Sequence, residues 1–160
     1  MNNDILRLLE NDAKLTPAQI AAMLGMARED VEAAIAKFEA DGTILKYMAQ
    51  VDWERAGEDF VTALIEVKIA PQHGEGFDRI AERIYQYEEV DSVYLMSGDF
   101  DLAVYITGRS MRDIAKFVYA HLAPIDGVTA TATHFILKKY KEKKCIFKKH
   151  EEQEERMLFV

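Results

Sequence analysis

Residues 15–47 constrain the fold of this chain more than any other stretch, because they encode two short helices joined by a tight turn. Thr16, Pro17 and Gln19 combine an N-cap hydroxyl, a proline at the first helical position and a capping-box partner. A glycine ends this helix, and a second one begins near Arg28 with apolar residues at helical spacing. This pattern predicts a helix-turn-helix, whose second helix is shaped to enter a DNA major groove.

The N-terminal third of the chain is predicted as a winged helix-turn-helix DNA-binding domain over 1–50, followed by a polar linker over 51–59. The apolar periodicity predicts three helices and then the β-strand of a wing, over 4–12, 17–24, 28–41 and 43–48.

From residue 60 the apolar periodicity changes, and strand-like segments alternate with amphipathic helices in the order β-α-β-β-α-β. That order is the ferredoxin-like split βαβ arrangement. The segment after Gly127 is predicted as one long strand up to Tyr140. The fold class is therefore α+β, with a ferredoxin-like domain over 60–140 and a charged C-terminal extension over 141–160.

A sheet of this kind has one face covered by its two helices and one face bare. Along the last strand, Thr131 and Thr133 lie on one face, and Ala132 and His134 lie on the other. A bare face with apolar residues is an interaction surface. We therefore expect a homo-oligomer, with a dimer as the minimum.

Composition excludes several classes of protein. With 49% hydrophobic and 30% charged residues, the sequence describes a globular protein. It has no apolar run near the roughly 18 residues that a membrane span requires. The first residues lack the features of a signal peptide, and the single cysteine, Cys145, fits a reducing compartment. We expect a cytoplasmic protein with no membrane partner.

The sequence offers no motif for catalysis or for a cofactor. Its four histidines, at 73, 121, 134 and 150, are too widely spaced for a metal site. There is no phosphate-binding loop and no nucleophile elbow, so we expect neither a metal nor a cofactor, and no enzymatic activity.

The charge is unevenly distributed in a chain whose net charge is −8. Residues 1–50 carry 5 basic and 8 acidic side chains, so the predicted DNA-binding domain lacks a basic footprint by simple count. The candidate phosphate contacts are Arg7, Arg28, Lys37 and Lys46. The basic first half of the C-terminal tail could contact phosphate or an acidic neighbour, or the tail could pack on a partner subunit.

Over about residues 4–137 the chain resembles the Lrp/AsnC family of transcription regulators. In the first domain, the matching residues are Asp4, Ile5, Leu6, Leu9, Ile20, Ala21, Leu24, Gly25, Val31, Ile35, Phe38, Glu39, Gly42, Ile44, Tyr47, Ala49, Asp52 and Gly57. In the second, they are Gly98, Asp99, Phe100, Asp101, Pro124, Gly127, Val128, Thr129, Thr131 and Thr133. No single motif is decisive, but their order and spacing together are specific.

The resemblance implies a regulator that binds double-stranded DNA and senses a small molecule, an amino acid above all, at an oligomer interface. The second domain would be of the RAM type and would assemble dimers into tetramers or octamers. The DNA-facing candidates are Arg28, Glu29, Glu32, Lys37 and Lys46. The effector-binding candidates are Ser97, Gly98, Asp99, Asp101, Thr131 and Thr133.

Two departures from the family pattern leave alternatives open. Ala27 stands where the family places Ser or Thr, and Ala34 stands where it places Arg. The exposed face of the second helix carries Glu29, Glu32, Ala33 and Ala36, and its acidic character weakens phosphate contacts. One alternative is therefore a ligand-sensing relative that does not bind DNA. Another is an enzyme like the siroheme decarboxylases, which resemble this family in fold, and the effector loop could also be an ordinary hairpin turn.

Overall fold

The computed structural model describes residues 2–70 and 76–147, which divide into two compact units between residues 51 and 52. Each unit has its own hydrophobic core, one formed by helices alone and one between a sheet and its helices. None of the helices in these ranges has the length and apolar character needed to cross a membrane.

The first unit consists of helices α1 (Asn2–Asn11), α2 (Pro17–Leu24) and α3 (Arg28–Ala40). The predicted capping box is confirmed, because Thr16 Oγ1 accepts from the Gln19 N–H (3.3 Å) and Gln19 Oε1 accepts from the Thr16 N–H (2.8 Å). Gly25 ends α2 in the left-handed region, at φ 65°, which only glycine adopts without strain. The turn therefore brings α3 against α2, around the buried side chains of Ile5, Leu9, Ile20, Ala21, Val31 and Phe38.

Residues 43–48, predicted as the strand of a wing, form no strand in the structure. The chain leaves α3 through a turn in which the Ile44 N–H donates to the Phe38 carbonyl (2.9 Å). Leu45 is 90% exposed. A strand requires a hydrogen-bonded neighbour, and the described part of this unit offers none beside this segment.

The second unit has a four-stranded antiparallel sheet in the order β2-β3-β1-β4, which confirms the ferredoxin-like prediction. Its elements are β1 (Val61–Ile69), α4 (Phe77–Tyr85), β2 (Val90–Leu95), β3 (Leu102–Gly108), α5 (Met111–Phe117) and β4 (Val128–Phe135). A π-helical turn (Val118–Leu122) continues α5.

One face of this sheet forms the core with the two helices. Ile65 and Val67 of β1, together with the residues paired with them on β3, pack against α4 and α5. Ile80, Ile84 and Ile114 are among the buried contacts from the helices. The alternate side chains of the four strands point away from this core, and no helix among residues 52–70 and 76–147 covers the opposite face of the sheet.

The prediction of one long last strand is wrong beyond Phe135. Because β1 begins at Val61, it offers no further partner after the Ile136 N–H has donated to the Thr62 carbonyl (2.9 Å). The chain instead forms a small hairpin from β5 (Lys141–Glu142) and β6 (Cys145–Ile146). The rest of the predicted extension, from 148 onward, lies outside the described residues.

Candidate functional site

The exposed face of α3 is the surface that a helix-turn-helix would present to DNA. Val31 and Phe38 bury one side of the helix in the first core, and Glu29 and Ala33 lie on the opposite, exposed side. Arg28 and Glu32 lie on one flank of that side and Lys37 lies on the other. The structure thus places four of the five DNA-facing candidates on α3, and Lys46 in the exposed segment after it.

Arg28 forms an ion pair with Glu32, which lies one helical turn further along α3. Its Nε donates to Glu32 Oε1 at 2.7 Å, and this hydrogen bond, with the charge of Glu32, raises the pKa of Arg28. Both side chains are solvent-exposed, so the pair exchanges with water and contributes little to stability. The pair matters for DNA binding, because the guanidinium group nearest the start of α3 contacts a carboxylate and is not free to contact a phosphate.

The N-terminus of α3 has no side-chain cap. Ala27 adopts the extended conformation of an N-cap residue (φ −70°, ψ 143°) but has no acceptor to offer the first helical N–H groups. Glu29 and Asp30 lie in the first turn, where negative charge is stabilised by the helix dipole. The same carboxylates reduce the attraction of this helix end for phosphate.

Tyr47 contacts α3 through a side-chain hydrogen bond that the sequence pattern did not indicate. Its hydroxyl donates to Glu39 Oε1 at 2.8 Å. Partial burial raises the pKa of Tyr47, and the bond to Glu39 raises it further. The segment after α3, which also carries Lys46, is therefore tied to the helix by a side chain.

The effector-loop candidate is a four-residue turn between β2 and β3. The Met96 N–H donates to the Asp101 carbonyl (2.8 Å) and closes the loop. The backbone N–H groups of residues 97–100 donate to no described residue, and the Asp99 carboxylate is exposed without a described partner. Gly98 has a φ of 144°, so a side chain there is strained, although a Cβ would meet no atom within 4 Å.

Asp101 orders the loop. Its Oδ2 accepts from the Ile69 N–H at 2.7 Å, and its own N–H donates to the Val67 carbonyl at 3.0 Å. These bonds tether the loop to the last residues of β1. The resemblance places this carboxylate among the effector-binding candidates, but the geometry supports a role in ordering the loop, since one oxygen is already occupied. Asp99 remains the carboxylate that a ligand can reach.

Thr131 and Thr133 lie on the helix-covered face of the sheet and are half-buried. They pair with Val67 and Ile65 of β1, and β1 separates them from β3 and its loop. Two interstrand spacings amount to about 9.5 Å. The structure therefore places the two sets of effector candidates in one sheet, with β1 between them, and does not bring them into direct contact within one chain.

The helix-free face of the sheet, here called the open face, carries small and apolar side chains at its centre. Leu64 and Ala132 lie on it, with the ion pair of His134 Nε2 and Glu66 Oε1 at 3.2 Å. Glu66 was not singled out in the sequence. The spacing of two residues between Leu64 and Glu66 indicates that both lie on one face of β1. The pairing of Glu66 with His134 depends on the strand register, which this spacing does not give.

Within residues 2–70 and 76–147, no group of three histidine, cysteine or acidic side chains could hold a metal ion. His121 contacts the rings of Tyr87 and Phe117 at centroid distances of 4.8 and 5.3 Å. Two of the four histidines, His73 and His150, lie outside the described residues.

Two family models match the chain. Residues 62–146 match the Lrp/AsnC ligand binding domain, and residues 3–44 match a winged helix-turn-helix DNA-binding domain. Among curated proteins, the uncharacterized HTH-type transcriptional regulator YugG of Bacillus subtilis is 46% identical over 145 residues. That alignment covers 90% of this chain and 87% of the relative.

Solved structures share the fold. An AsnC family transcriptional regulator from Agrobacterium tumefaciens is 26% identical with a TM-score of 0.72, and the match covers 88% of this chain and 91% of that one. The transcriptional regulator NMB0573 of Neisseria meningitidis, solved as a complex with L-Met, is 22% identical with a TM-score of 0.70. That match covers 88% of this chain and 90% of the other.

Proposed function

The chain belongs to the Lrp/AsnC family, and from this premise we propose that it is a cytoplasmic, homo-oligomeric regulator whose assembly on operator DNA responds to a free amino acid. Its membership makes it a DNA-binding transcription regulator with a ligand-binding domain. Both modules are regulatory and the relatives are named as transcriptional regulators, so an enzyme of the siroheme-decarboxylase kind is set aside.

The observation that carries the DNA-reading part of the proposal is the placement of α3. The capping box and Gly25 fix the turn, Val31 and Phe38 hold α3 against the first core, and its opposite side is free to enter a major groove. Lys37 and Lys46 would contact phosphates, Arg28 is held by Glu32, and Glu29 and Glu32 keep non-specific affinity low. Specific sites are then favoured over the rest of the genome by base contacts rather than by charge.

For the effector, the loop between β2 and β3 offers two kinds of group that suit a zwitterion. The N–H groups of residues 97–100 can donate to a carboxylate, and Asp99 can accept from an ammonium group. Asp101 holds the loop in place, and Thr131 and Thr133 would contact the ligand from a second chain. The two strand spacings that separate the two sets in one chain support a site shared between chains, at a contact other than the open face because both threonines lie on the helix-covered face.

The assembly part of the proposal rests on the open face. Leu64 and Ala132 lie on it beside the Glu66–His134 pair, and two copies packed through it would bury these two apolar side chains. A ligand held between chains changes the stability of one assembly relative to another, and such a difference in affinity is sufficient for a switch.

The test has two parts. Selection of genomic fragments by the purified protein should yield a shared sequence, and addition of the cognate amino acid should shift its apparent affinity. Calorimetric screening of the free amino acids, beginning with L-methionine as the ligand of the Neisseria structure, should identify that effector.

An Asp99→Asn variant should bind it more weakly, because a charge-assisted hydrogen bond contributes about 1.5–3 kcal/mol. Recovery of no common sequence would refute operator binding, and equal binding by wild type and Asp99→Asn would place the ligand elsewhere.

A further inference from the structure

The hairpin that follows β4, here called the basic hairpin (residues 138–147), is a feature that neither the operator contacts nor the effector loop uses. The Phe147 N–H donates to the Tyr140 carbonyl at 3.0 Å and closes it. Its tip is a two-residue turn in which Lys143 and Lys144 have φ of 44° and 70°. Positive φ at both positions is the geometry of a type I′ turn, which ordinarily uses Asn and Gly. The tip therefore combines a backbone conformation that is strained for lysine with two positively charged side chains.

The basic hairpin concentrates positive charge in a chain whose net charge is −8. It contains five lysines and one glutamate, and all five lysines are exposed. Lys139 pairs with Glu142 at 3.5 Å, and Lys138 lies 5.0 Å from the centre of the Tyr140 ring. Lys141 and Lys143 make no ion pair with another described residue, so their charges are available to an anionic partner.

The helix-turn-helix unit has the opposite balance. Arg28 is paired with Glu32 at 2.7 Å and Arg7 with Asp4 at 3.8 Å. A protein binds duplex DNA largely by neutralising phosphates with lysine and arginine. The DNA-reading unit of this chain is therefore short of the charges that its function requires.

The root of the hairpin lies at the end of the sheet where the chain enters from the linker. The Ile136 N–H donates to the carbonyl of Thr62, the second residue of β1, and the linker ends immediately before β1. The basic hairpin is thus attached at the end of the sheet where β1 begins.

We propose that the basic hairpin is a second DNA contact, in which Lys141, Lys143 and their neighbours bind the phosphate backbone of the duplex that the helix-turn-helix reads. This contact rests on the DNA-binding function and is independent of base sequence. It adds to the few phosphate contacts of the helix-turn-helix unit, and it couples the ligand-binding domain directly to DNA.

The experiment measures the salt dependence of binding to a labelled mixed-sequence duplex, from about 50 to about 200 mM salt, by fluorescence anisotropy. A Lys141→Gln/Lys143→Gln variant of the full chain is compared with wild type. The matched control is Arg112→Gln/Lys116→Gln, which removes the same charge from exposed positions on α5. We expect the slope of log K against log salt to decrease in magnitude by about 0.9 for each phosphate that is no longer neutralised, in the hairpin variant only.

Four outcomes would overturn the proposal. Equal slopes for wild type and the hairpin variant show that the lysines do not bind phosphate, although operator binding then stands. Equal decreases in the hairpin variant and the α5 control show that only net charge matters. An unchanged slope with a smaller assembly by light scattering shows that the hairpin binds an acidic surface of a second copy. If wild type itself does not bind DNA at low salt, the proposed function fails and the hairpin contact fails with it.

Discussion

Replacing Glu32 with glutamine should strengthen DNA binding. In the wild type, Glu32 Oε1 holds the Arg28 guanidinium group at 2.7 Å on the exposed flank of α3. The substitution removes this charged partner and one negative charge from the helix that faces the phosphates. Arg28 is then free to contact the DNA backbone, so affinity should increase for every sequence.

The size of the effect follows from counterion release. One added phosphate contact makes the slope of log K against log salt steeper by about 0.9. Between about 50 and about 200 mM salt, a fourfold change, the advantage of the variant over wild type should shrink by about 3- to 4-fold for one recognition helix, or about 12-fold for two. Thermal stability should hardly change, because exposed ion pairs contribute little.

The assay is fluorescence anisotropy across this salt range with Glu29→Gln as the control. Glu29 carries the same charge on the same helix, but it makes no hydrogen bond to Arg28. We expect Glu29→Gln to raise affinity with a smaller change in slope. Equal changes in slope for the two variants would refute the release of Arg28, and no change in either would show that this side of α3 does not face DNA.

Three further predictions concern stability and assembly. Ala27→Ser should stabilise the first unit by about 1 kcal/mol, measured as an increase in its thermal transition, because position 27 already has N-cap geometry without an acceptor; an unchanged transition would argue against an uncapped helix. Asp101→Ala should destabilise the second unit by about 1.5–3 kcal/mol in urea unfolding, since the Ile69 N–H loses a charged acceptor; wild-type stability would mean that this bond orders nothing. Ala132→Lys should place a charge in the packed open face and give a particle of 18.3 kDa by light scattering, whereas Ala115→Lys on α5 should not; a monomeric wild type, or an unchanged assembly in Ala132→Lys, would refute the sheet interface.

Local features of the fold were predictable because they depend on neighbours in the chain. The capping box of Thr16 and Gln19 involves two residues three positions apart, and the left-handed Gly25 ends the helix that they begin. The order of strands and helices after residue 60 follows from the period of the apolar residues. These signals were enough to predict the ferredoxin-like class and the buried side of α3.

The predictions of a wing strand and of one long last strand are wrong for the same reason. Both segments have the composition of a strand, but a strand forms only where another chain segment lies beside it. Residues 43–48 have no such neighbour among the described residues. After Phe135, the chain that follows β4 no longer has β1 beside it. Sequence composition does not report where a partner strand begins.

The candidate sites show the same division. The sequence by itself determined which residues carry chemistry: the charges of α3, the carboxylates of the loop between β2 and β3 and the lysines near the C-terminus. Only the tertiary structure decided what those groups do. It paired Glu66 with His134, joined Asp101 to Ile69 across 32 positions, and turned Thr131 toward the helices. The physical reason is register, because a shift of one residue between two strands exchanges the faces of every side chain and breaks the pairing of residues that are distant in the chain.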